Sequence, residues 1–284
     1  MCHDTGVSTA ATARSRVRLD ELLLDRGLAP SRSRAQALLL GGRVRVGEGD
    51  AARLDRKPGD LVDPAVAVDV IEPEPYVSRG GHKLAAALDA FGIDPSGRAC
   101  LDVGASTGGF TDALLQRGAS RVYALDVGRG QLANALRAHS RVVSMERHNA
   151  RDLGPSSLPE QVAFACIDVS FISLALVLPS VASTLAAGAD VVALVKPQFE
   201  VGRSNVRGGV VRDPAIHLEV LRSVAAAAPA AGLVPLAAIA SPLLGPEGNR
   251  EFLLHLRPGA SPDVADADAE AMDSSFVAIT GGVR

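Results

Sequence analysis

Between Ala99 and Leu256, short apolar runs return seven times, each closed by a turn and most followed by a helical stretch: ACLDV, RVYALD, RVVSME, VAFACI, DVVALV, VPLAAIA and EFLLHL. Strand-helix alternation of this kind predicts an α/β fold, a doubly wound sheet of seven strands with helices on both faces. The run Val191 to Val195 is apolar at every position, as a strand buried on both faces of a parallel sheet requires. Pro197 ends it, and the residue between is Lys196. Open α/β sheets bind ligands at the carboxyl ends of their strands, so Lys196 is predicted at the functional edge. A single strand-end lysine can equally point into solvent. What matters is whether other chemistry-bearing residues converge on it.

The chain of 284 residues suffices for one large domain and a small one, and 47% hydrophobic with 21% charged residues describes a folded protein. Cys2, Cys100 and Cys166 have no CxxC spacing and no histidine cluster beside them, so neither a disulfide framework nor a zinc site is indicated; no metal is expected, and a reducing cytoplasm fits. There is no basic-then-apolar leader, and no apolar run approaches the roughly 18 residues of a membrane span. Charge is uneven. From Arg14 to Lys57 eleven basic residues face six acidic ones, whereas from Pro258 to Arg284 five acidic residues face one arginine.

Punctuation divides the chain into a flexible tail (1–15), a basic module (16–72), a stiff linker, PEPYVSRG (73–80), the α/β domain (81–258) and an acidic, disordered tail (259–284). In the basic module Leu19, Leu22 and Leu23 space one helix that stops at Gly27. Pro30 and Ser31 start a second, Gly41 and Gly42 end it, and RVRV alternates as a half-buried strand. With Arg18, Arg32, Arg34, Arg43 and Arg45, this helix-helix-strand pattern resembles the RNA-binding domain named after small-subunit ribosomal protein four. An array of guanidinium groups suits phosphates. Arg79, in SRGG, can contact phosphate or pair with a local carboxylate.

The first strand of the α/β domain runs into Asp102-Val-Gly104-Ala105-Ser106-Thr107-Gly108-Gly109-Phe110. GxGxxG is absent, and an acidic residue before the glycines would repel a pyrophosphate while suiting a cation. S-adenosylmethionine, with its sulfonium and ammonium groups, is such a ligand. Asp126, at the end of the second strand, is placed to accept both ribose hydroxyls, and Asn149 and Ala150, after the third, to border the adenine.

Asp168 ends the fourth strand and Lys196 the fifth. If the last strand runs antiparallel, Glu251 at its start lands beside Lys196, and Lys83, on the helix preceding the first strand, caps the same edge. The set Lys83, Asp168, Lys196 and Glu251 matches the tetrad of the FtsJ-like RNA ribose 2'-O-methyltransferases. SRGGHKL, LDVGASTGGFTDALLQRGA, DVSFISL, LVKPQFEVG and GPEGNREF, together with the basic module, resemble the TlyA family from Arg16 to Leu256. The resemblance implies a class I, Rossmann-like methyltransferase domain behind a small α+β RNA-binding domain. It implies methylation of cytidine 2'-hydroxyls in rRNA (16S, 23S or both), acting on the naked RNA, a ribosomal subunit or the intact ribosome, by a cytoplasmic monomer.

The chemistry explains the residue types. A ribose hydroxyl is a weak acid and a poor nucleophile, so it must be positioned and relieved of its proton. Lys196 is assigned as base or proton acceptor. Only its uncharged form can serve; burial and Lys83 would favour that form, while Asp168 and Glu251 would oppose it and orient the amine.

Rival readings fare less well. Asp168-Val-Ser-Phe171 loosely resembles the Asp-Pro-Pro-Tyr turn of base N-methyltransferases, but both prolines are missing. Carbon-5 methylation needs a cysteine nucleophile, and Cys100 and Cys166 lie inside apolar strands. Members of the family are often labelled haemolysins, yet neither a span nor an amphipathic or period-two pattern suggests a pore. A non-catalytic RNA chaperone would not need the glycine turn and tetrad. His82, His148 and His217 read as exposed or locally bonded, with His82 within reach of RNA.

Overall fold

The computed structural model describes residues 15–72, 74–201, 208–259 and 266–281. Cys2 and nearly all of the tail 1–15 lie outside the described residues. The chain forms two compact units, 1–74 and 75–284.

In the first unit, β1 (Val17–Arg18) pairs antiparallel with β3 (Leu61–Val62), and β2 (Val44–Val46) with β4 (Val68–Val70). Between β1 and β2 stand α1 (Leu19–Asp25) and α2 (Arg32–Leu40). Ser31 caps α2 by accepting a hydrogen bond from the Arg34 amide, 3.2 Å away, and Gly27 leaves α1 at φ +69°. Leu19, Leu22, Leu23, Ala35, Leu39, Val44 and Val46 close a small core.

The second unit runs α3 (Gly80–Phe91), β5 (Ala99–Val103), α4 (Gly109–Gln116), β6 (Arg121–Asp126), α5 (Asn134–Arg137), β7 (Val142–Glu146), β8 (Val162–Ile167), α6 (Leu178–Ala182), β9 (Leu185–Val195), α7 (Pro197–Glu200), α8 (Pro214–Ala227), β10 (Leu233–Ala240), β11 (Phe252–Pro258) and α9 (Asp266–Thr280). Its seven strands form one sheet in the order β10-β11-β9-β8-β5-β6-β7, with β11 antiparallel to both neighbours and every other described pairing parallel. This is the predicted doubly wound architecture. Period-two alternation sends Leu101, Val103 and Val191 to one face, under α6, α8 and α9. Cys100, Cys166 and Val192 go to the other, under α3, α4 and α5.

Two boundaries differ from the sequence reading. The predicted linker is partly built into the second unit: the Val77 amide donates to Asp112 (2.9 Å), Gln116 donates to the Pro75 carbonyl (2.6 Å), and α3 begins at Gly80. The acidic end is not a disordered tail throughout. Within it α9 buries Phe276 and Thr280, and Asp273 pairs with Arg222 at 2.5 Å. Acidic composition argued for a solvated coil, but Met272, Phe276, Ile279 and Thr280 recur at helical spacing and supply an apolar stripe.

Candidate active site

The site is built where β5, β6, β8 and β9 end. Asp168 lies one residue past β8, and its amide donates to the Val103 carbonyl at 2.8 Å, prolonging the parallel ladder by one rung. Gly104, opposite, has φ +86°, and a Cβ there would run into the Asp168 carbonyl oxygen. Glycine is therefore required for two reasons at once: the left-handed turn, and the close approach that sets the glycine turn against Asp168. Gly108 (φ +100°) backs instead onto Leu132 and Leu136, so it packs the start of α4 against α5 and the residues before it, and it lines neither of the two clefts at this edge.

Two clefts meet at Gly104, Ser106 and Asp168. The larger, about 810 Å³, extends past Asp126, Asn149 and Ala150. The smaller, about 420 Å³, is bordered by Ala105, Thr107, Gly109, Phe110, Arg79 and Lys83. Asp126 is held by two backbone donors, Ser106 N at 2.8 Å and Gly128 N at 2.7 Å, one to each oxygen. Each oxygen keeps a second lone pair. Asn149 Oδ1 caps the following 3-10 turn through the Arg151 amide, so its oxygen has a local task as well.

Asp102 departs from the sequence reading. Its side chain is fully buried and lines neither cleft; Oδ2 accepts from the Thr111 hydroxyl at 2.6 Å, and Cys166 Sγ lies 3.7 Å from Oδ1. As the fourth residue of β5 it points with Cys100, the second, toward α4, not along the strand toward a ligand. Burial pushes its carboxyl up to about 7, against the pull of the Thr111 hydrogen bond. It anchors α4 beneath the glycine turn.

The tetrad forms two ion pairs. Lys196 Nζ lies 2.5 Å from Asp168 Oδ1 and donates to the Ser170 hydroxyl at 3.0 Å. Lys83 Nζ lies 2.5 Å from Glu251 Oε2, with the two side chains 9% and 1% exposed. The antiparallel register does bring the backbone of Glu251 beside Lys196, because Phe252 faces Val195. The Glu251 carboxylate nevertheless engages Lys83. Lys83 is thus the partner of Glu251, correcting its expected place as a neighbouring cation of Lys196. A buried ion pair is a poor stabiliser against apolar replacements, so Lys83–Glu251, with the half-buried Lys196–Asp168 pair at the same sheet edge, points to chemistry.

The turn Asp168 to Ser173 carries a feature the sequence left unread. Phe171 has φ +64° and is 91% exposed, a conformation costing on the order of 1–3 kcal/mol for a bulky side chain. Its ring lies 4.8 Å from that of Phe199, over which Lys196 Nζ sits at 6.0 Å. Ser170 was also missed as a partner of Lys196; the motif DVSF held the signal, but a serine two residues past a strand end is uninformative without the turn.

Cys100 and Cys166 are fully buried, and burial pushes the Cys100 thiol up to about 12. Neither can serve as a thiolate nucleophile. Arg79 donates to the Leu244 carbonyl at 2.7 Å, across the smaller cleft. His217 is buried and bonded to the Val211 carbonyl at 3.0 Å, while His148 is exposed.

In the first unit the arginines divide. Arg18 and Arg32 both bind the buried Asp20, at 3.0 and 3.1 Å, and hold its carboxyl well below the usual range; Arg43 donates to the Ile71 carbonyl at 3.1 Å. Arg34 and Arg45 are exposed, and among the described residues no ion pair holds either. Arg34 borders a hollow of about 410 Å³ with Leu28, Pro30 and Leu38. Among the described residues no helix is long and apolar enough to cross a membrane.

A Rossmann-like sheet with a glycine turn, a strand-end Asp126 and paired lysines at its carboxyl edge defines a methyltransferase-type site, and comparisons with known proteins agree. Residues 76–258 match the FtsJ-like methyltransferase family, and residues 17–48 match the S4 domain. A Mycobacterium tuberculosis protein named 16S/23S rRNA (cytidine-2'-O)-methyltransferase TlyA is 48% identical over 245 residues, 85% of this chain and 90% of its own length. A Campylobacter jejuni protein named 23S rRNA (cytidine-2'-O)-methyltransferase TlyA is 34% identical, covering 71% of this chain and 78% of its own. A solved Streptococcus thermophilus structure, named as a hemolysin, superposes with a TM-score of 0.69 at 41% identity, covering 95% and 98% of the two chains. The chain belongs to the FtsJ-like methyltransferase family and, within it, to the TlyA group.

Proposed function

We propose that this protein transfers a methyl group from S-adenosylmethionine to the 2'-hydroxyl of a cytidine in rRNA, of the small subunit, the large subunit or both. One observation carries the reading: Asp168, ion-paired to Lys196, stands at the point shared by the two clefts, since it lines both and Gly104 abuts its carbonyl, while Lys196 reaches them through that pair. The residues fit the cofactor. Asp126, fixed by two amides, has lone pairs left for the ribose hydroxyls, and the absence of a side chain at Gly104 permits close approach. When bound, S-adenosylmethionine supplies a methyl group already activated by its sulfonium.

The chain must then place the ribose oxygen in line and take its proton. Lys196 accepts that proton at Nζ, a role that only its uncharged form can fill. The resulting ammonium finds Asp168 Oδ1 at 2.5 Å and Ser170 Oγ at 3.0 Å. Lys83 and Glu251 neutralise each other behind the smaller cleft and keep its wall rigid. The basic module brings rRNA to this domain through phosphate contacts, with Arg34 and Arg45, exposed and held by no ion pair among the described residues, placed for that task.

Ribosomal subunits and naked rRNA, each incubated with the protein and S-adenosylmethionine and mapped for methylation, test the proposal. New 2'-O-methylcytidine is the expected product. A mark on a base nitrogen or carbon, or no mark on any of these RNAs, overturns it.

A further inference from the structure

The turn that carries Asp168 and Ser170 and the turn that carries Lys196 belong to different strands, so their relative position needs a fastening of its own. Glu200, the last residue of α7, supplies one. Its Oε2 accepts from the Ser173 hydroxyl at 2.6 Å and its Oε1 from the Leu174 amide at 2.9 Å. Leu174 opens a 3-10 turn over Leu174–Leu176, and Ser173 caps it. One carboxylate thus grips the far end of the Asp168–Ser173 turn. The near end is pinned by the Asp168 amide on the Val103 carbonyl. Between these two anchors lies Phe171 with its positive φ, a conformation that persists only where the surroundings over-determine it.

On the other side, Glu200 is four residues from Lys196, across a single turn closed by the Phe199 amide on the Lys196 carbonyl (2.9 Å) and the Val201 amide on the Pro197 carbonyl (3.1 Å). A rigid turn therefore links the carboxylate to the ammonium. We infer that Glu200 is a positioning residue: it clamps the Asp168–Ser173 turn to α7 and so fixes Asp168 and Ser170 against Lys196. The inference rests on the reading of Lys196 as the proton acceptor, and its effect is transmitted through the backbone, since Glu200 lines neither cleft.

Glu200→Ala and Glu200→Gln in the full chain test the clamp with two readouts. Amide hydrogen exchange, which needs no activity, should accelerate at residues 170–175 in Glu200→Ala. Exchange there as slow as in the parent protein overturns the inference. Single-turnover methyl transfer to rRNA should fall about 10-fold to 100-fold in Glu200→Ala at unchanged cofactor affinity and melting temperature, since displacement of order 1 Å costs that much. Glu200→Gln keeps an acceptor for Leu174 and a polar partner for Ser173, and should recover to within about threefold. Equal rates for Glu200→Ala and the parent, or equal losses in both variants, overturn the inference. A parent protein that transfers no methyl group refutes the functional reading instead, while hydrogen exchange still decides the clamp.

Discussion

One strand, β9, carries a carboxylate cluster in its middle and a lysine pair at its end, and the two are built on opposite plans. Asp190 is nearly sealed from solvent and accepts from three cationic or cation-capable side chains: His255 at 2.9 Å, Arg257 at 2.7 Å and Arg98 at 2.8 Å. Six residues on, roughly 20 Å away at strand rise, Lys196 meets Asp168, whose Oδ1 is buried in a close ion pair without an aligned hydrogen bond. The first carboxylate accepts from three side chains and lines neither cleft. The second borders both. The number of charges does not separate scaffold from chemistry here; the degree of satisfaction and access to a cavity do.

The comparison breaks if Asp190 turns out to matter for transfer. Asp190→Ala should cost about 3 kcal/mol in denaturant unfolding, because it strands three donors, two of them half-exposed and so partly rescued by water. Transfer per folded molecule should stay unchanged. The cations beside Asp190 hold its carboxyl low, and burial holds His255 low, so the cluster supports stability at neutral pH and gives it up as the Asp190 carboxyl protonates in acid.

A third carboxylate sharpens the contrast, because it has one hydroxyl donor and no cation. The folded-state value of Asp102, about 7, exceeds its ordinary value of 3.8, so the folded chain binds one more proton than the unfolded chain between roughly pH 4 and 7. Stability from this group is therefore fully present below pH 4, declines as pH rises toward 7 and is level above. The decline should be of order 2 kcal/mol, under a ceiling of about 4. Asp102→Asn keeps an acceptor for Thr111 and should flatten it, as thermal unfolding across that range would show.

Asp126→Ala should weaken S-adenosylmethionine binding by about 1–3 kcal/mol, measured by calorimetry, through loss of a charged hydrogen-bond acceptor. Unchanged affinity would place the cofactor elsewhere. The smallest effect is expected in the basic module: Arg34→Ala should lower the salt slope of RNA binding by about one, whereas Arg32→Ala, already tied to Asp20 and Glu21, should act more on the unit's stability.

Strand number and the alternation of strands with helices were legible because apolar runs and glycine turns impose them locally. Legibility failed where side chains choose among neighbours. Asp102 sits in a strand apolar on both faces, so alternation could not say which way it points. Glu251 had two lysines within topological reach, and side-chain packing decided for Lys83. Glu200 looked like the end of a motif, and its partners Ser173 and Leu174 lie 26 to 27 positions away. The two-residue strands β1 and β3 are too short for any periodicity, and α9 was hidden by its charge.

The central claim is that Lys196 takes the hydroxyl proton, and Lys196→Arg tests it. Guanidinium keeps the positive charge and a donor for Asp168 but cannot be deprotonated in a protein. Single-turnover transfer to rRNA at saturating cofactor should fall about 10²-fold to 10⁴-fold, with cofactor affinity preserved. An arginine variant that transfers at nearly the parent rate would contradict the account and reduce Lys196 to a residue that docks RNA.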